Sequence, residues 1–300
     1  MKRRALFSLA TGLALSAFPL EAAAFCRTTS ALIPPGYDPT ARGCITSGVT
    51  LAWPGMPVTY QVEQEASSQV SLAEATPIID RSFAKWSAAT CGTPDAGGEP
   101  PSLSFLNGGP TDAGYTPCDG GACTEAVAVA PHVIIFRDSA WPHNDPSNTL
   151  ALTTVTYGVD SGHILAANME INSHEHTIST AVPPPAGSFS LEAIVTHEAG
   201  HFVGLAHSPI DTAVMFAHYQ PGATLLTTDD TAGVCEVYPP TSPSSKGCSC
   251  TTAGADHGPD HGTEWLGLLA LGSAAAARLR RPVARMNRRR HVGVPGDSAR

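Results

Sequence analysis

The sequence predicts a fold of mixed strands and helices, and three stretches carry that reading. Val58-Thr59-Tyr60-Gln61-Val62 alternates and is rich in β-branched and aromatic residues, as a half-buried strand is. Ser71 to Trp86 begins with Ser71 and Glu74 at capping-box spacing and puts Ala73, Ile78, Ile79, Phe83 and Trp86 on one helical face. Phe189 to Leu205 follows the breakers Pro183-Pro184-Pro185 and Gly187, and its apolar residues Leu191, Ile194, Val195, Phe202 and Leu205 fall at helical spacing.

The remaining elements fill in around these. Further strands are expected at His132 to Phe136, at Ala151 to Tyr157 and at Ile164 to Ile171, the last preceding the polar stretch Asn172 to Thr180. Gly92 to Gly121 is rich in Gly, Pro, Asp and Thr, with Cys118 and Cys123 closing a tight loop, and reads as a surface insertion. A short helix should start near Thr227-Thr228, carry Asp229 and Asp230 in its first turn, where negative charge suits the helix dipole, and bury Val234 and Val237. Pro239 to Ser245 has linker composition, and no internal repeat is present.

Both ends read as addresses. Met1 to Ala24 has a basic start (Lys2, Arg3, Arg4), an apolar stretch broken by Thr11, Gly12 and Pro19, and Ala22-Ala23-Ala24 before Phe25, which fits a signal peptide better than a membrane anchor. Export makes disulfides the default for Cys26, Cys44, Cys91, Cys118, Cys123 and Cys235, with pairings that sequence cannot choose. The chain carries 17 Lys+Arg against 26 Asp+Glu, but most basic residues sit at the two ends. From Phe25 to Cys250 the count is 6 against 21, so 6 − 21 = −15. Such a surface argues against nucleic acid as a partner, which would need a basic stripe to release counterions.

The chemistry concentrates in His197-Glu198-Ala199-Gly200-His201-Phe202-Val203-Gly204-Leu205-Ala206-His207. Histidines at i and i+4 of a helix project from one face, so two zinc ligands come preformed. His207 supplies a third if the helix stops at Gly204, where glycine can take a positive φ, and a coordination site is left open for water. Glu198 is badly placed to ligate the same ion but well placed to take a proton from that water. By chance H-E-x-x-H arises in roughly 1–2% of chains of this length, and the added glycine and third histidine lower that by a further factor of about 300.

These eleven residues, with Ser208 after the third histidine, resemble the signature of the metzincin zinc proteases and of their matrixin branch. Met215, in Ala213-Val214-Met215, resembles the Met-turn that lies under the three imidazoles, and Tyr219 resembles the matrixin tyrosine of the S1′ wall. The likeness extends over most of Pro57 to Tyr238. It implies an α+β metzincin catalytic domain, a twisted mixed sheet packed on two long helices plus a C-terminal helix. It implies one catalytic zinc on His197, His201 and His207, and Glu198 as the base. By the same resemblance Ala166 to Ile171 would be the antiparallel edge strand above the cleft, onto which a protein or peptide substrate adds as an extended strand. The domain is expected to be a monomer.

Departures from the family pattern carry their own expectations. No P-R-C-G-x-P-D switch precedes the domain, and Cys26 and Cys44 read as a disulfide pair. His143-Asn144-Asp145 matches the start of the structural-zinc pattern, but Leu152 to Thr154 and Asn168 offer no imidazole. His163, His174 and His176 could substitute, but a histidine in a polar loop is more often solvated, so a second zinc or a calcium is not supported. Ala217 stands where matrixins usually carry proline.

The C-terminal region resembles the sorting tag of myxobacterial surface proteins. Gly247-Cys248-Ser249-Cys250 is followed by the apolar run Trp265 to Ala277 and by arginines 278, 280, 281, 285, 288, 289 and 290. Thirteen apolar residues are too few to span about 30 Å of hydrocarbon, so a transient membrane association before cleavage and possible lipidation fits better than a permanent anchor. Val292 to Arg300 departs from that tag. The expectation is a secreted or surface-attached zinc endopeptidase; the alternative is an adhesion or binding protein that keeps the fold without cleaving.

Overall fold

A computed structural model describes residues 25–34, 36–92, 98–114, 132–241 and, for the backbone, the strand 289–295. Residues 1–24, read above as a signal peptide, the Cys118 to Cys123 loop, the Cys248 motif and the apolar run lie outside the described residues. In order the elements are β1 (Cys26–Arg27), α1 (Pro39–Arg42), β2 (Val58–Glu63), α2 (Leu72–Ser87), β3 (Phe105–Thr111), β4 (Val133–Phe136), β5 (Ala151–Gly158) and β6 (Ile164–Ile171). There follow β7 (Ile178–Ser179), β8 (Phe189–Ser190), α3 (Leu191–Phe202), β9 (Leu205–Ala206), α4 (Thr228–Val237) and β10 (Arg289–Pro295).

The main sheet has the order β10-β5-β6-β4-β2-β3. β3, β2, β4 and β6 run parallel, and β5 and β10 are antiparallel to their neighbours, which makes the sheet mixed. The helices α2, α3 and α4 complete the α+β domain expected from the sequence. α2 begins with the foreseen capping box of Ser71 and Glu74, and α4 begins with another, of Thr227 and Asp230. Tyr60 from the sheet stacks on Phe83 of α2 with centroids 4.3 Å apart, and Phe83 meets Phe202 of α3 edge-on at 5.1 Å. Those contacts seat α2 and α3 on the sheet in a single core.

Two sequence expectations are corrected here. Gly92 to Gly121 is not merely a surface insertion, because Phe105–Thr111 pairs in parallel with β2 as the outermost strand. Gly108, Gly109 and Pro110 depress its strand signal, and an edge position tolerates them. The antiparallel strand above the cleft is β5, not Ala166 to Ile171, which belongs to β6 and lies between β5 and β4.

The residues between Phe25 and β2 take part in the fold. Cys26 is bonded to Cys44 and Cys91 to Cys235, so the pairing read for Cys26 and Cys44 is the one observed. β1 pairs with β9, Thr28 N donates to Gly204 O at 2.9 Å, and Thr28 Oγ1 donates to Leu205 O at 2.9 Å. The chain just after α3 is thereby clamped from outside. Among the described residues no helix is long and apolar enough to cross a membrane.

Candidate metal centre and cleft

α3 starts at Ser190, whose hydroxyl accepts from Ala193 N, and its helical residues end at Phe202. Its last carbonyls are satisfied by side chains: Trp53 Nε1 donates to Phe202 O at 2.8 Å and Tyr238 Oη to Val203 O at 3.0 Å. Gly204 then turns the chain at φ 95°, and a Cβ there would lie 2.5 Å from Leu51 O. This stop is what the sequence required for His207 to swing back towards the helix.

The three imidazoles converge. Nε2 of His197 is 3.1 Å from Nε2 of His201, which is 3.2 Å from Nε2 of His207, and the three ligand atoms lie within 4.8 Å of one another. The far nitrogens are pinned: His197 Nδ1 lies 2.7 Å from Val214 O and His201 Nδ1 2.9 Å from Leu205 O. A proton on each Nδ1 serves those carbonyls and leaves each Nε2 with its lone pair inward, the tautomer a metal needs. Burial holds all three imidazoles below their ordinary pKa, and the crowding of neighbouring imidazoles adds to it at His201 and His207. Neutral, converging, oriented nitrogens are the donor set of a zinc ion with one position left open.

Glu198 is 1% exposed and lies beside these ligands. Thr153 Oγ1 of β5 donates to its Oε2 at 2.6 Å, which fixes the carboxyl against the sheet. Burial pushes the Glu198 carboxyl up to about 8, and the Thr153 hydrogen bonds offset part of that rise.

Beneath the histidines, Met215 is buried and packs against Gly200. A Cβ on residue 200 would run into Met215 Sδ and lie 2.8 Å from Trp86 Cζ2, so the glycine inside the motif is demanded by the methionine below it. Asp230 holds the Met-turn in place. Its carboxylate accepts from Val214 N at 2.9 Å, Met215 N at 3.0 Å and Thr227 N at 2.8 Å. Ser208 adds a second tie, since its N donates to Met215 O at 2.7 Å and its hydroxyl to Asp229 Oδ2 at 2.7 Å.

An open cleft adjoins Glu198 and His197, with walls that include Leu150, Ala193, Ala213, Val214 and Tyr219. The Tyr219 hydroxyl accepts from Ser190 N at 2.7 Å and its ring meets Phe189 edge-on at 5.0 Å, so the wall is braced against the start of α3. Apolar side chains share its lining with His197, Glu198, His218 and Gln220.

A model of the family described as Matrixin matches residues 52–239. The chain belongs to the matrixin family. Metalloendoproteinase 1-MMP of Arabidopsis thaliana is 46% identical to it over 52 residues, which are 17% of this chain and 14% of that protein. Matrixins carry a catalytic zinc, and the histidine triad described above fits that ion.

The structure thus brings His197, His201 and His207 together with Glu198 beside them, Met215 beneath and Tyr219 in the wall of the adjoining cleft. The other candidate histidines are not brought to a shared site. His143 Nε2 lies 2.8 Å from the buried Glu170, which also takes Arg137 Nε at 2.6 Å; His174 faces Asp138 O and His176 faces Pro146 O. Among the described residues one cluster, the triad, is arranged to hold a metal. Sequence reasoning missed Thr153, whose role depends on β5 passing over α3, and Asp230, whose acceptor role spans 15 residues of chain.

Proposed function

We propose that this matrixin is a zinc-dependent endopeptidase that cleaves extended protein or peptide substrates. The observation that carries this reading is Glu198: a buried, firmly held carboxyl directly beside three oriented imidazoles, at the wall of an open cleft. When bound by Nε2 of His197, His201 and His207, zinc supplies Lewis acidity, which polarises a carbonyl and lowers the pKa of water to about 7. The protein's own contribution is proton handling and positioning. Glu198 takes the proton of the attacking water, and the same carboxyl gives it to the leaving amine. Leu150, Val214 and the braced Tyr219 form an apolar wall for a substrate side chain, and the β5 edge, once free of β10, would offer backbone groups to an extended peptide. An adhesion protein with the same fold would have no use for the base.

We place the enzyme outside the cytoplasm, exported by residues 1–24 and held for a time by the apolar and arginine-rich tail, with processing near Cys248 or Cys250. Mass spectrometry of the mature C-terminus tests that address, and a chain recovered intact to Arg300 contradicts it. Glu198→Ala tests the chemistry: zinc content should stay as in the unmodified protein while kcat/KM on a peptide falls about 10²–10⁴-fold. Turnover close to that of the unmodified protein would refute the assignment.

A further inference from the structure

The edge of the sheet next to the cleft is not open. β10 pairs antiparallel with β5 over seven residues, from Arg289 opposite Gly158 to Pro295 opposite Leu152, on the side of β5 away from β6. Val294 stands opposite Thr153, the residue whose hydroxyl holds Glu198. β10 therefore runs along β5 towards Leu150, which precedes β5 and lines the cleft. It lies antiparallel along the edge where an extended peptide would have to add.

From these positions we infer that the C-terminal strand 289–295 occupies the approach to the active site as an internal stand-in for substrate and keeps the intact chain latent. A sheet edge accepts only one strand, so a peptide entering alongside β5 must displace β10. Charge favours the internal occupant. Residues 25 to 250 hold 6 Lys+Arg against 21 Asp+Glu, whereas Arg289 and Arg290 lie in β10 and arginines 278, 280, 281, 285 and 288 come just before it. Being on the same chain, the strand competes intramolecularly, whereas a substrate must be recruited from solution. Cleavage between the domain and the tail would remove the strand and free the edge, so activation would follow from the same processing that releases the protein. The occlusion stands on the backbone pairing; its effect on turnover rests on the peptidase reading.

Two forms test it against the full chain: one ending at Arg288, and the full chain with Val292→Pro and Gly293→Pro, which removes adjacent backbone donors from the ladder whichever of them faces β5. Hydrogen exchange of the Leu152 to Gly158 amides should speed up at least tenfold in both. A fluorescent extended peptide should bind at least tenfold more tightly, and added salt should weaken occlusion in the full chain. Unchanged exchange, or faster exchange with unchanged peptide binding, overturns the inference. Tighter binding without cleavage in any form leaves the occlusion standing and removes the peptidase reading instead.

Discussion

Replacing Asp230 by Asn keeps the shape of the side chain and removes only its ability to accept on both oxygens. In the native protein Oδ1 accepts from Met215 N, and Oδ2 accepts from Val214 N, Thr227 N and Thr227 Oγ1, the last at 2.7 Å. An amide placed there must turn its NH2 towards one of these donor groups. Turned towards Met215 it leaves one buried N–H unsatisfied, at about 1–3 kcal/mol, and the remaining bonds lose their charge assistance, at about 1 kcal/mol more. The expected cost is about 2–4 kcal/mol. For a domain of this size that lowers Tm by roughly 4–16 °C. Because His197 Nδ1 is oriented by Val214 O, loosening the turn should also weaken zinc binding about tenfold or more, the scale seen when a group orienting a metal-bound histidine is lost. Calorimetry of the metal-free protein and competition with a zinc chelator measure the two effects. A Tm within about 2 °C of the native value, with unchanged zinc affinity, would refute the assignment of Asp230 as the clamp of the Met-turn.

Gly200→Ala separates two effects of opposite sign. Helix propensity alone favours alanine by about 1 kcal/mol, whereas the clash with Met215 and Trp86 should cost about 3 kcal/mol, so a net fall in Tm of roughly 4–8 °C is expected and a rise would contradict the packing argument. The metal-free protein should also lose stability in acid. Its buried histidines stay neutral while those of the unfolded chain protonate below about pH 6.5, so the unfolded state binds more protons and stability falls with pH by up to about 4 kcal/mol per unit. Glu198 acts in the opposite sense, its raised pKa contributing stability that is lost as pH rises through about 8, so the net fall just below pH 6.5 is up to about 3 kcal/mol per unit. Urea titrations of the metal-free protein between pH 5 and pH 7 measure this, and a flat profile would contradict it.

What the sequence revealed was what it encodes locally. Residues 197–207 show their function because i, i+4 spacing and one glycine turn bring the ligands together without help from distant chain. The same holds for the capping box at Ser71 and for the acidic first turn at Asp229 and Asp230. Non-local features stayed hidden. Asp229 and Asp230 were legible as dipole partners, yet their bonds to Ser208 and to the Met-turn appear only when α4 docks. The antiparallel strand above the cleft was misplaced because β5 and β6 have equally good strand sequences, and order within a sheet is a property of pairing. β3 was masked by its glycines and proline, and β10 by an arginine-rich, Gly-Pro-containing sequence that becomes a strand only against β5.

The central claim is a single zinc held by three histidines with Glu198 beside it. A crystal of the purified protein, with anomalous diffraction collected on either side of the zinc edge, tests it most directly. The account predicts one zinc peak per chain, bonded to Nε2 of His197, His201 and His207 at about 2.0–2.1 Å, with an open position facing Glu198. An absent peak in zinc-supplemented protein, or a zinc bound instead at His143, His163, His174 or His176, would contradict it.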